Sequence, residues 1–159
     1  MKKILVAIDG TPCSLKAVDY VGQQFSGVND LEITLFYVLP YVPAAFWDDG
    51  HILTEEEKEA RKKVVDKWLL NQRMRLEPIF REASEALAAR GIRPEQVTIR
   101  SVSDSTDVAG SILEEVRSRD YQTLVMGRCG RLQGERFLMG SVTTKIINQG
   151  AGIAICVVE

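Results

Sequence analysis

The chain is short of the residues that metal and redox chemistry rely on. It has one histidine, His51, and three cysteines, Cys13, Cys129 and Cys156. A lone histidine has no second imidazole with which to share a metal, so His51 reads as a surface or loop residue. The cysteines are far apart and form no C-x-x-C pair, a spacing that supports neither a zinc site nor a disulfide framework. Cys156, inside "IAICVV", reads as a small core residue. Cys129, among glycines, is either a turn residue or an exposed reactive thiol. No segment reaches the ~18 consecutive apolar residues needed to span a bilayer. Neither charge dominates: 20 Lys and Arg stand against 22 Asp and Glu, a net charge of −2. A dedicated nucleic-acid binder needs a basic footprint to neutralise phosphates. The cluster Arg61-Lys62-Lys63 lies among glutamates on a helical pattern and reads as a solvated face. The opening "MKKILVAIDG" superficially resembles the start of a signal peptide, but Asp9 and Gly10 end its apolar run too early. It is better read as a buried first strand, and the expected location is the cytoplasm.

What is present is the balance of an ordinary globular protein, 45% hydrophobic and 26% charged over 159 residues, a length that fits one domain, residues 1–159. Five apolar runs recur: Lys3–Ile8, Glu32–Leu39, Gln96–Val102, Thr123–Met126 and Ile153–Val158. Three are almost continuously apolar, as strands covered by helices on both faces are. Between them lie helical patterns at Ser14–Phe25, Asp107–Arg119 and Ser141–Gln149. The second carries Val108, Ile112, Leu113 and Val116 as one buried stripe. This alternation predicts an α/β fold: a single open, mostly parallel five-stranded sheet with helices on both faces. The longest connection, Tyr41 to Arg93, begins as a loop by its prolines and Asp-Asp-Gly. Thr54 and Glu57 then match a capping box. Ala60, Val64, Trp68, Leu76, Phe80, Ala83 and Leu87 form a stripe behind it. Pro78 lacks an N–H, which predicts a kink or break near Glu77.

The stretch "LVMGRCGRLQGERFLMGSVTTKII", Leu124 to Ile147, places four glycines between a strand and a helix. Ligands of open parallel sheets bind beyond the carboxyl ends of the strands. Asp9-Gly10-Thr11, Val38-Leu39-Pro40 and the segment from Gly127 onward should meet there. Gly127 and Gly130 let backbone approach a ligand with no Cβ in the way. Gly140-Ser141 opens a helix whose free N–H groups and positive dipole end favour an anion, with the Ser141 hydroxyl as a further donor. There is neither a G-x-x-x-x-G-K-[ST] loop nor a G-x-G-x-x-G after the first strand. On the residues alone, a phosphate cradle and plain turn chemistry both remain open, and Gly134 reads as a turn residue.

The spacing Gly127-x2-Gly130-x9-Gly140-Ser141 resembles the G-x2-G-x9-G-[ST] motif of the ATP-binding branch of the universal stress protein (UspA-like) family. The flanks "ILVAIDGT", "LFYVLP" and "LVMGRCG…GSV" are similar too, in order and over nearly the whole chain. The resemblance implies an adenine nucleotide alpha hydrolase-like fold binding ATP with Mg²⁺. It implies that Gly127, Gly130, Gly140 and Ser141 hold the ribose and phosphates, with Val142 adding a backbone amide. Asp9 would contact the ribose or a phosphate-bound metal, and Val38 would meet adenine through backbone hydrogen bonds. Met126, Gly10 and Thr11 would line the pocket, and Arg128 or Arg131 would reach phosphate or point to solvent. The chain departs from the family in a longer loop–helix insertion, about residues 41–75. After the third strand Ser103-Asp104-Ser105-Thr106-Asp107 replaces Gly-x-Pro, with Ser105 or Thr106 as the expected N-cap and two carboxylates near the mouth. Gly152-Ile153-Ala154 replaces Cys-Pro-Val before the last strand.

The reading that results is an ATP-binding universal stress protein acting as a nucleotide-dependent regulator of a stress response. No catalytic residue is assigned, because one carboxylate makes no catalytic constellation. The alternatives are a slow ATPase or nucleotidyl-transfer enzyme on the same fold, and a protein-interaction module that binds no nucleotide. A homodimer through Ile153–Val158 is expected from the resemblance. It is also expected if this apolar strand, which lacks gatekeeping charges, is an edge that needs a partner; the alternative is that it is central or covered by a helix. No nucleic-acid or membrane partner is expected. The loop Pro43–Leu53, with Phe46, Trp47 and His51, reads as a lid on the adenine side, as packing over the long helix, or as a partner surface.

Overall fold

Successive side chains of a strand point to opposite faces, and in the first strand both directions are apolar. Ile4 and Val6 enter one core, Leu5 the other, and all three are buried. A strand of this kind belongs at the centre of a sheet covered on both sides. The computed structural model, which describes residues 1–40, 52–129 and 139–159, places it there. Among these residues the strands are β1 (Lys2–Ala7), β2 (Leu31–Pro40), β3 (Val97–Ser105), β4 (Thr123–Gly127) and β5 (Ala154–Val158). They form one sheet of order β3-β2-β1-β4-β5, and every pairing is parallel. The helices are α1 (Pro12–Phe25), α2 (Glu55–Ala89), α3 (Val108–Ser118) and α4 (Ser141–Gln149). The α/β class and the five-stranded sheet therefore stand as read from the sequence.

The four helices divide between the faces according to which strands they join. On one side Val18 and Val21 of α1 and Leu76, Phe80, Ala83 and Leu87 of α2 pack on Ile33 and Leu35. Phe80 meets Tyr37 edge to face, ring centroids 6.4 Å apart. On the other side Ile112, Leu113 and Val116 of α3 and Ile146 of α4 pack on Leu5, Phe36 and Leu124. Fully burying one such side chain contributes about 1.5–3 kcal/mol, so these two layers hold the sheet. Beneath α3, the buried Glu115 carboxylate meets Arg100 at 2.9 Å and accepts from the Tyr121 hydroxyl at 3.1 Å, tying α3 to the sheet.

Two local expectations change. Helix α1 begins at Pro12, two residues before the expected Ser14, because Thr11 is its N-cap and accepts from the Ser14 N–H at 3.3 Å. Proline at the first helical position gives up an N–H that would be unpaired anyway. Helix α2 opens on the expected capping box, Thr54 with Glu57, but runs unbroken for 35 residues through Pro78. The missing hydrogen bond is outweighed by anchors on both sides of the proline, Leu76 before it and Phe80, Ala83 and Leu87 after it. The expected stripe is buried only from Leu76 onward. Val64, Leu70 and Met74, nearer the start of α2, stay exposed. No helix among the described residues is long and apolar enough to cross a membrane.

Candidate functional site

The chain runs outward from β1 through β2 to β3, then crosses to β4 and β5 on the other side. The carboxyl ends of β1 and β4 thus part company, which is where open α/β sheets bind ligands. A cavity of about 360 Å³ opens there, within the ~300–1,000 Å³ typical of small-molecule sites. Its walls are mostly apolar: Ala7 and Ile8 at the end of β1, Phe36 and Val38 from β2, Met126 from β4, and Val108 and Ile112 from α3. The polar part of the lining comes from Asp9, Ser14 and the first turn of α4.

Asp9 closes a turn on itself. Its carboxylate accepts from the Thr11 N–H at 2.9 Å and from the Thr11 hydroxyl at 2.5 Å. Gly10 sits between them at φ +79°, where a Cβ would also lie 2.7 Å from Ile79 Cδ1. This Asx turn leads directly into the α1 cap, so the Thr11 hydroxyl is engaged in both. Asp9, Val38, Met126, Gly127, Gly140, Ser141 and Val142 come together around the cavity. Gly10 and Thr11 stand beside it and shape the turn that holds Asp9.

Helix α4 supplies donors to this lining. Gly140 is its N-cap, and the Gly140 N–H donates to the Arg128 carbonyl at 2.8 Å. The buried Thr143 hydroxyl donates to the Gly127 carbonyl at 3.1 Å. The first turn is therefore clamped to the end of β4 at two points. No side chain caps this helix among the described residues. The opening amides of a helix have no partner within it, and together with the helix dipole they favour an anion. Arg128 itself pairs with Glu159 at the end of β5. Gly130, Arg131 and Gly134 lie outside the described residues, as do Phe46, Trp47 and His51.

The acidic loop after β3 resolves differently from expectation. The N-cap of α3 is Asp107, not Ser105 or Thr106. Ser105 Oγ instead accepts from the Asp107 N–H at 3.2 Å and pairs with the Ser111 hydroxyl at 2.7 Å. Lys145 Nζ donates to Asp107 at 2.6 Å. That hydrogen bond, above all, holds the Asp107 carboxyl below the usual carboxylate range. Its charge is thus offset by a cation on α4, forming a bridge between the two helices that flank the cavity. Asp104, the other acid of this stretch, belongs to the end of β3, and its side chain lies outside the described residues. No group of three or more His, Cys, Asp or Glu is arranged to hold a metal among the described residues.

The cysteines are the clearest correction. Although Cys13 and Cys129 are 116 residues apart, the structure sets them in a disulfide pairing, with Cα atoms 5.8 Å apart. Sequence spacing reports only local pairs, whereas this one is made by packing the first turn of α1 on the end of β4. The cavity also takes walls that sequence reasoning assigned simply to the core. Val108 and Ile112 showed as an apolar stripe, but periodicity does not say whether a stripe meets another element or a cavity.

The contact between α1 and β4 rests on Gly127. A Cβ there would lie 2.5 Å from the Cys13 carbonyl oxygen and 2.6 Å from its carbon, both backbone atoms that cannot swing aside. Gly127→Ala is expected to destabilise the fold by about 1–3 kcal/mol, the usual cost of overpacking. Urea unfolding checks this, and an unchanged midpoint would contradict the close approach.

Comparison with known proteins agrees with this architecture. The sequence pattern of the universal stress protein family matches residues 1–151. A universal stress protein solved in complex with cAMP is 19% identical, with a TM-score of 0.65 over 99% of this chain and 97% of the other. Universal stress protein UspA from Lactobacillus plantarum is 14% identical, with a TM-score of 0.68 over 99% and 97%. The universal stress protein from Archaeoglobus fulgidus in complex with dAMP is 14% identical, with a TM-score of 0.58 over 100% and 98%. At such identities the likeness is one of fold. No curated protein sequence matches the chain significantly. The family pattern extends from β1 through α4, strands, helices and glycine segment in order, and the chain belongs to the universal stress protein family.

Proposed function

We propose that the chain binds ATP with Mg²⁺ in this cavity and acts as a nucleotide-dependent regulator of a stress response in the cytoplasm. The observation that carries the reading is the cavity's polarity. An apolar slot suited to a flat base ends at an uncapped helix N-terminus suited to phosphate. Two solved members of the family are complexes with cAMP and dAMP, which supports an adenine nucleotide as the ligand class.

In this reading adenine lies against Val38, Met126 and Val108. Strand β2 runs four residues past Phe36, its last residue paired with β1, so backbone near Val38 is placed to meet the base edge. The phosphates reach the first turn of α4. There the amides of Ser141 and Val142 and the Ser141 hydroxyl donate to their oxygens, charge-assisted bonds of about 1.5–3 kcal/mol each. Asp9, held by Thr11, takes the ribose or the phosphate-bound ion. Magnesium, when bound, neutralises part of the phosphate charge. Asp9 is the one acid among the described cavity residues, and one carboxylate makes no catalytic constellation, which favours binding over turnover.

Among the described residues, strand β5 is the sheet edge, half-buried along most of its length and paired only with β4. We assign to it the contact with a second copy of the chain, which would cover that edge. Sedimentation at micromolar concentration should then give twice the chain mass, and a monomer would contradict it.

The decisive variant for the nucleotide is Ser141→Pro. Proline is favoured at the first helical position, and Gly140 before it, at φ −54° and ψ 145°, already has the conformation a pre-proline residue prefers. The change removes one amide donor and one hydroxyl donor while leaving the helix intact. Calorimetric titration of ATP–Mg²⁺ should show saturable binding in the wild type, weakened about 10- to 100-fold in the variant. Equal binding by both proteins would remove the phosphates from α4.

A further inference from the structure

We propose that Cys13 and Cys129 are a redox-active pair whose disulfide tightens nucleotide binding; the affinity half of this inference rests on the nucleotide reading above. Several features of the fold converge on the pair. The Cα separation of 5.8 Å lies inside the ~4.4–6.8 Å range of protein disulfides. It follows from the glycine at 127, whose missing Cβ lets the end of β4 rest on the backbone of Cys13. Both cysteines are only half-buried, within reach of small reagents. The third cysteine, Cys156, is free.

The two thiols are not equivalent. Cys13 is the second residue of α1, behind the Thr11 cap and Pro12, and no acidic residue stands in that first turn. A helix N-terminus stabilises thiolate, the reactive form. Cys129 lines the cavity. The step follows from this difference, with a low-molecular-weight disulfide such as oxidised glutathione as the oxidant. The Cys13 thiolate attacks one sulfur of that disulfide and expels one glutathione thiolate, leaving a mixed disulfide. The Cys129 thiolate then attacks the Cys13 sulfur and expels the second. Two protein thiols lose two electrons and two protons, and one disulfide is reduced to two thiols.

The cross-link bears on the ligand because of what is attached to Cys129. Its neighbour Arg128 accepts the Gly140 N–H through its carbonyl at 2.8 Å, and Gly140 is the N-cap of α4. Joining Cys129 to α1 therefore fixes the start of the glycine segment and, through that hydrogen bond, the helix end that faces the phosphates. Order imposed before the ligand arrives is order the ligand need not impose, so the oxidised form binds more tightly. By thermodynamic reciprocity, bound nucleotide makes the disulfide harder to reduce by the same factor.

The test uses the wild-type protein equilibrated in glutathione buffers of graded ratio, quenched by alkylation and mapped by peptide mass spectrometry. Cys13 and Cys129 should pass together from alkylated to disulfide-linked across the series, while Cys156 stays alkylated. Saturating ATP–Mg²⁺ should move the midpoint about fivefold toward the reducing side, the low end of ordinary coupling. Calorimetry should show the same factor between oxidised and reduced protein, and Cys13→Ser should abolish that redox dependence. Full alkylation of both residues at the highest glutathione disulfide, or mixed disulfides alone, would overturn the pairing. Equal affinity of the two forms would overturn the coupling. Absence of ATP binding in both forms would overturn the nucleotide reading and the coupling with it, while the thiol map would still decide the pairing.

Discussion

The end of β4 lies against the first turn of α1 with no side chain between them, and the geometry of the site descends from that contact. Gly127 makes it possible, since a Cβ at this position would fall within 2.6 Å of the Cys13 backbone. The contact fixes where the chain leaves the sheet. The next residues are then held by Arg128 N–H on the Val158 carbonyl at 2.8 Å and by the Arg128 carbonyl on Gly140 N–H. Through Thr143 the first turn of α4 returns to the carbonyl of Gly127 itself. One missing methyl group thus sets the position of α1, of α4 and of the cavity between them.

That cavity is a consequence of strand order as much as of glycine. With β1 central, the connections diverge on either side of the carboxyl ends of β1 and β4, and the cavity opens between them. The flanking helices α3 and α4 are braced to each other by the bridge between Asp107 and Lys145. An exposed bridge of this kind contributes at most about 1 kcal/mol. Its effect here is geometric: it keeps the acid that follows β3 paired with a lysine.

Much of this was legible in the residues. The strands showed because burial on two faces makes them continuously apolar, as in "ILVAI" and "TLVM". Helix α3 showed through Val108, Ile112, Leu113 and Val116, and the family resemblance pointed to Gly127, Gly140 and Ser141, which line the cavity. The misses have a common cause, which is that local rules yield to tertiary contacts. Pro78 predicts a kink or break, and the anchors around it keep α2 continuous through the proline. Ser105 and Thr106 are good caps, but Ser105 is drawn to Ser111 and the helix starts one step later, after Asp107. The pairing of Cys13 with Cys129 left no trace in spacing, because two elements far apart in sequence create it.

The central claim is that phosphate meets the opening amides of α4. The direct measurement is the ¹⁵N–¹H spectrum of the assigned protein during addition of ATP–Mg²⁺. The account predicts the largest amide shifts at Ser141, Val142 and Thr143, accompanied by Asp9 and Val38. Shifts concentrated on the exposed start of α2 or along β5, with the first turn of α4 unmoved, would contradict it.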